Sequence, residues 1–227
     1  MTASSMNASA IRETVSDGPA GRVRQANQTR ILAAAEQIFA LRGFAGATMA
    51  EIAAAAGLPK ANLHYYFGTK EALYLAVLED ILALWLDATD GIRAERHPAT
   101  ALGDYIRAKM THSRTRPLAS KVFANELLSG APHIQPYLAL ELRRKVEDKV
   151  PIIERWIAQG LMDPVDAKHL FFSLWAMTQT YADFDVQIRA VLGVATLDEK
   201  DFSIATETVV RLILRGCGIT LPETAPH

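Results

Sequence analysis

Residues 48 to 73, TMAEIAAAAGLPKANLHYYFGTKEAL, constrain this chain more than any other stretch. Thr48 can cap a helix, and Glu51 three residues later completes a capping box, in which each side chain serves the other's backbone N–H. Ile52, Ala53 and Ala56 give that helix a small apolar face suited to close packing. Gly57 supplies a turn, because a residue without Cβ reaches backbone conformations that others resist. Pro59 suits the first turn of the next helix, where its missing N–H costs nothing. Leu63 and Phe67, four apart, anchor that second helix inward and leave Ala61, Asn62, His64 and Tyr65 toward solvent. Two short helices around a glycine turn, the second polar and aromatic outside, form the helix-turn-helix that enters a DNA major groove.

Nearly everything else also reads as helix. Residues 27 to 42 form an amphipathic first helix with Ile31, Ala35, Ile38 and Phe39 inward and Gly43 just past its end. Thr69 can cap a long fourth helix to about Ala94, and further helices are expected over 100–113, 117–128, 136–159, 166–192 and 198–215. Pro98, Pro117, Gly130 and Pro164 punctuate them, and no alternating strand pattern or internal repeat appears. The fold class is therefore all-α, with nine helices. Residues 1–21 read as a disordered tail, 22–70 as the helix-turn-helix domain and 71–227 as a second, larger domain.

Charge is divided in the same way. Residues 21–70 carry Arg22, Arg24, Arg30, Arg42, Lys60 and Lys70 against Glu36 and Glu51, a balance of +4, while residues 71–227 carry 17 basic and 21 acidic residues. A basic amino-terminal part on an acidic body suits a DNA reader with a separate second function, although chance clustering on a solvated face gives the same count. The stretch 72–86, ALYLAVLEDILALWL, is interrupted by Glu79 and Asp80 and reads as an amphipathic helix, so no membrane span is expected. The first residues lack the apolar core of a secretory signal, and Cys217 alone cannot form an intramolecular disulfide. Both fit a reducing cytoplasm.

The series Thr48, Ile52-Ala53-x-x-Ala56-Gly57, Leu63, Tyr65-Tyr66-Phe67 and Lys70-Glu71-Ala72-Leu73 resembles the DNA-binding domain of the TetR family of bacterial regulators. Ala61 stands where many members have Gly. The resemblance implies three helices for DNA and six for ligand and dimer. It assigns DNA contacts to the recognition helix and its flanks: Lys60, Ala61, Asn62, His64 and Tyr65 toward base edges and phosphates, with Thr48, Tyr66 and Lys70 on the backbone. Arg22 and Arg24 are read as a flexible arm over the duplex. The stretch LFFSLWAMTQTYADF and a stripe of Phe202, Ala205, Val209, Leu212 and Ile213 offer more apolar surface than one face needs. Either they fill an intramolecular core or they build a four-helix bundle with a second copy, and a homodimer reads a palindromic operator.

Ligand-facing residues decide what such a protein senses. Trp85 lies on the fourth helix, and Trp175 and Gln179 lie four residues apart on the eighth, with Tyr181 and Asp183 just beyond. An amide offers a donor and an acceptor side by side, matching the alternating C=O and N–H edge of a pyrimidine or cyclic imide, and indoles supply flat apolar walls. Tryptophans in apolar helices also serve as ordinary core, and Trp156 is read so. The segments NLHYYFGTKEALYLAVLEDILALWL, ELLSGAP and WAMTQTYADFDVQIRAVLG are similar to the RutR-like pyrimidine-utilisation branch of the family. That resemblance implies uracil or thymine as effector, with Trp85, Trp175 and Gln179 as pocket residues and Tyr181 and Asp183 in the surrounding segment. It further implies ligand-dependent release of DNA at pyrimidine-utilisation genes.

A TetR-type repressor of an efflux or catabolic operon with a larger hydrophobic ligand is the competing expectation, and it needs a wider, less polar pocket. An enzyme is not expected. The six histidines (His64, His97, His112, His133, His169 and His227) are scattered without metal-ligand spacing, and no phosphate loop, nucleophile elbow or Cys/His arrangement occurs. Glu141 and Glu147 sit in the charge-rich run ELRRKVEDK, a solvated face rather than a catalytic carboxylate pair. No metal or cofactor is expected.

Overall fold

The computed structural model describes residues 19–220, and among them there are helices and no β-strand. The chain divides into two compact units, Met1–Ala76 and Val77–His227. The expected tail over residues 1–21 lies outside the described residues as far as residue 18, and residues 19–21 are helical instead.

The first unit holds α1 (Pro19–Gly46), α2 (Met49–Ala56), α3 (Lys60–Phe67) and the start of α4 (Lys70–Asp87). Helix α1 begins well before residue 27, so Arg22 and Arg24 lie on helical backbone rather than on a flexible arm, a correction to the sequence reading. Its regular course breaks at Gly43, where φ of 66° and ψ of 174° kink the chain before Phe44. Ile31, Ala35 and Phe39 of α1 are fully buried with Ile52 of α2, Leu63 of α3 and Leu73 and Tyr74 of α4. Tyr74 meets Phe39 edge-on at 4.8 Å and Phe44 at 4.9 Å, so the first two turns of α4 belong to this core. That packing places the division after Ala76, six residues beyond the anticipated boundary.

The second unit contains the rest of α4, a 3-10 turn (Ala88–Gly91), α5 (Pro98–Thr115), α6 (Pro117–Leu128), a short α7 (Gln135–Tyr137), a π-helical segment (Leu138–Leu142), α8 (Arg143–Ala158), α9 (Ala167–Asp183), α10 (Asp185–Leu192) and α11 (Glu199–Gly216). Two helices read as continuous are interrupted. Phe184 (φ −116°, ψ 31°) separates α9 from α10, and the π segment precedes α8, so there are more segments than the nine expected. The core joins Leu102, Tyr105, Ile106 and Met110 of α5, Ile153 and Trp156 of α8, Leu170, Phe171 and Leu174 of α9, and Ala205, Val209 and Ile213 of α11. The α11 stripe is thus mostly intramolecular core. Part of the apolar surface read from the sequence stays outside, Phe172, Phe184 and Leu212, and Val186 and Ile204 are exposed with it.

Gly57 shows how tightly one turn is specified. It ends α2 in the left-handed conformation (φ 62°, ψ 36°), its N–H donates to the Ala54 carbonyl at 3.0 Å, and that of Leu58 donates to Ala53 at 3.0 Å. Arg30 Nη2 donates to the Ala56 carbonyl at 2.8 Å and lies 3.1 Å from where a Gly57 Cβ would stand. Gly57→Ala should therefore cost about 1–2 kcal/mol from the left-handed backbone. Urea denaturation monitored by circular dichroism measures it, and an unchanged midpoint would contradict this account of the turn.

Candidate functional site

Two regions carry chemistry, one in each unit. In the first, Thr48 Oγ1 accepts from the Glu51 N–H at 3.2 Å, and the Glu51 carboxylate accepts from the Thr48 N–H at 3.1 Å and from its hydroxyl at 2.8 Å. The capping box read from the sequence is present in full. Pro59 stands one position earlier than anticipated, as the residue preceding α3. On α3, Leu63 is fully buried and Phe67 half-buried, while Lys60, Ala61, His64 and Tyr65 are exposed and Asn62 is partly so. Tyr65 shows 73% of its surface, more than a hydrophobic ring normally exposes. One exposed face of α3 therefore carries an ammonium, an imidazole, an amide and a phenol, the donor and acceptor set that reads bases and phosphates.

Two flanking residues are held from within the unit. Tyr66 accepts through its hydroxyl from Asn27 Nδ2 at 3.3 Å. Lys70 Nζ donates to the carbonyls of Phe44 at 2.9 Å, Ala47 at 3.1 Å and Ala45 at 3.5 Å, and lies 4.5 Å from the centroid of the Phe44 ring. An ammonium has three donors, and these carbonyls engage all three. The structure thus gives Lys70 a second task beside the backbone contact read from the sequence, neutralising the carbonyl-rich corner after α1.

The second region is a cavity of about 110 Å³ inside the larger unit. Trp85, Trp175 and Gln179 all line it, together with Tyr105 and Lys109 of α5, Phe123 and Leu127 of α6, Leu138 and Leu142 at the two ends of the π segment, and Phe171. The wall is largely apolar. Trp85, only 9% exposed, meets Phe123 edge-on at 4.8 Å, and Trp175 Nε1 donates to the Tyr105 hydroxyl at 2.9 Å, which fixes the plane of its indole. Burial pushes the Tyr105 phenol well above its ordinary range, so it stays protonated. The Gln179 amide has no hydrogen-bond partner among the described residues.

Tyr181 and Asp183 do not join the wall, a correction to the expected ligand set. Two residues past Gln179 a helix has turned through about 200°, which carries Tyr181 toward Phe202, with ring centroids 6.2 Å apart. Asp183 shares the Gln179 face but lies one turn further on, where Ser120 Oγ donates to its carboxylate at 2.5 Å. Burial pushes that carboxyl up, against the Ser120 hydrogen bond and the Lys109 and Lys121 charges.

The sequence reading missed Lys109. It is 2% exposed, and its ammonium stands 4.0 Å from the centroid of the Trp85 ring. Burial pulls its pKa down to about 7, opposed by the Asp183 carboxylate. The signal was available: Leu102, Tyr105, Ile106, Lys109 and Met110 fall at helical spacing on one buried face, and a lysine on that stripe is out of place.

Comparison with known proteins gives consistent results for both units. Residues 31–77 match the bacterial regulatory proteins of the tetR family, and residues 78–220 match the C-terminal region of YcdC-like proteins. The chain is 41% identical over 199 residues to the HTH-type transcriptional regulator RutR of Escherichia coli (strain K12), covering 88% of this chain and 94% of that protein. It is 28% identical to the HTH-type transcriptional repressor NicS of Pseudomonas putida, covering 86% and 95%. Among solved structures, a transcriptional regulator from Streptomyces coelicolor superposes with a TM-score of 0.68 at 25% identity, over 86% of this chain and 99% of the other.

The Lys70 geometry yields an expected outcome. Lys70→Met should lower unfolding free energy by about 1–2 kcal/mol, because the carbonyls of Phe44 and Ala47 lose a charged donor. Full retention of stability with weakened DNA binding would instead return Lys70 to a phosphate role alone.

Proposed function

Because the chain belongs to the TetR family of bacterial regulatory proteins, we propose that it is a uracil-responsive regulator whose effector occupies the cavity lined by Trp85, Trp175 and Gln179. The observation that carries this reading is the convergence of those three side chains on one small, mostly apolar cavity, with the Gln179 amide unengaged by protein. A side-chain amide pairs with the C=O and N–H edge of a pyrimidine ring, and the indoles cover a planar ring on its faces. The likeness to RutR supports it further. Thymine differs from uracil by one methyl group and is the natural second ligand.

The size of the cavity argues for a small effector. At about 110 Å³ it lies well below the roughly 300–1,000 Å³ of pockets for drug-sized ligands. A larger hydrophobic effector of an efflux or catabolic repressor would need the π segment or α6 to move away.

DNA is read by α3. Lys60, Ala61, Asn62, His64 and Tyr65 meet bases and phosphates, and Thr48 and Tyr66 serve the backbone on either side. Lys70 acts there chiefly by holding the corner from which α4 starts. Two copies joined through the exposed apolar residues of α9, α10 and α11 place two such helices on a palindromic operator. Helix α4 runs unbroken from Lys70 to Asp87 and carries Trp85 near its end. Uracil contacting Trp85 would select a state in which α4 is displaced and the two reading helices no longer fit their half-sites. A ligand acts only through its preference for one state, so about 100-fold derepression requires a differential of roughly 2.7 kcal/mol. That is within reach of a buried amide pair with ring stacking.

Isothermal titration tests the assignment. Uracil should bind saturably to the protein, cytosine should not, and Gln179→Leu should abolish the uracil heat while leaving the fold intact. Uracil binding undiminished in Gln179→Leu would place the ligand elsewhere.

A further inference from the structure

Lys109 is an expensive residue in its position. Its ammonium is buried at 2% exposure, and among the described residues it has no hydrogen-bond acceptor. Its neighbours are the face of the Trp85 ring at 4.0 Å and the cavity itself. A buried lysine ordinarily has a carboxylate or carbonyl on its donors, because desolvating a charge without a partner costs several kcal/mol. Asp183 attracts it through space, but the two share no hydrogen bond, and the Asp183 carboxylate instead accepts from Ser120 Oγ. Lys145, the other lysine of the wall, shows the contrast: its Nζ donates to Asp90 at 2.9 Å, and its charge is already paired.

Resting on the pyrimidine reading of this cavity, we propose that Lys109 is a specificity-determining ligand contact, donating to an exocyclic oxygen that the Gln179 amide leaves free. The effector class narrows accordingly. The ring must present a C=O and N–H edge to Gln179 and a second oxygen acceptor, a carbonyl or its enolate, to the ammonium. A dioxopyrimidine meets both requirements. An aminopyrimidine that offers an NH2 at that second position sets donor against donor and is rejected, as buried polar sites reject isosteres that leave them unpaired.

Protonation follows from the same geometry. The groups that bear on the ammonium are Asp183 from α9 and His112 one turn further along α5, while Lys145 of the cavity wall is tied to Asp90. Without ligand the Lys109 pKa sits near 7, and an oxygen acceptor on its donors raises it, so binding at pH 8 takes up a proton. Affinity for a dioxopyrimidine therefore falls as pH rises above about 7.

The test is Lys109→Met in the full chain, with uracil as probe, titrated at pH 8 in buffers of different ionisation enthalpy, and thermal unfolding of both proteins without ligand. Uracil affinity should drop by about tenfold or more, and the proton uptake seen with the unaltered protein should vanish. The ligand-free variant should melt no lower than its parent, since a desolvated amine without an acceptor has been replaced by an apolar side chain of similar length. Equal uracil affinity in both proteins overturns the proposal and leaves the pyrimidine reading standing. If the unaltered protein does not bind uracil, the pyrimidine reading fails. The ligand-free melting then decides for Lys109: a marked fall shows a structural role and overturns the proposal, and a rise supports an ammonium reserved for another oxygen-bearing ligand.

Discussion

An amide and an ammonium set into an apolar wall cost free energy that folding does not recover. The larger unit of this protein accepts that cost at the cavity walled by α4, α5 and α9, where Gln179 and Lys109 stand among apolar side chains. Trp175 is locked in plane by its hydrogen bond to Tyr105, Trp85 is wedged against Phe123, and the core formed by α5, α8, α9 and α11 holds these helices in register. The cavity is a small opening in otherwise continuous packing. Its edge is irregular where α8 is preceded by a π-helical segment whose end residues, Leu138 and Leu142, both face it. Such segments recur at functional sites because they turn side chains off the regular helical register.

The smaller unit solves a different problem, presenting a short helix rigidly enough to be read against DNA. Eight residues cannot hold a helix by themselves. The stability of α3 comes from Leu63 in the core, from the Gly57 turn braced by Arg30, and from Lys70 drawing three carbonyls together at the far corner. The face left over is polar and exposed, and Tyr65 stands out from it.

Most of this was legible in the sequence because the relevant residues sit at regular spacing. The capping box needs only Thr48 and Glu51 three apart, and Trp175 with Gln179 needs only the four-residue helical step. Trp85, ninety residues earlier, could not be placed beside them by periodicity; its flat apolar ring suggested the grouping and family likeness reinforced it. What was not legible depends on tertiary packing. The break at Phe184 has no proline or glycine to announce it, and α1 starts at Pro19, inside the stretch whose small residues read as a tail. Asp183 was drawn into the ligand set by family likeness in the segment beyond Gln179, but its carboxylate accepts from Ser120 of α6 instead. Lys109 was passed over because lysine reads as solvated, although its place on the α5 stripe marked it as buried.

The central claim is that occupation of the cavity is transmitted to DNA binding, and α4, shared in sequence between the reading unit and the cavity wall, is its carrier. The most direct measurement is fluorescence anisotropy of a DNA fragment selected in vitro for binding to this protein, titrated at fixed salt with and without saturating uracil. The account predicts that uracil weakens DNA affinity by about 100-fold, with cytosine without effect. DNA affinity that is unchanged while uracil fills the cavity would contradict it.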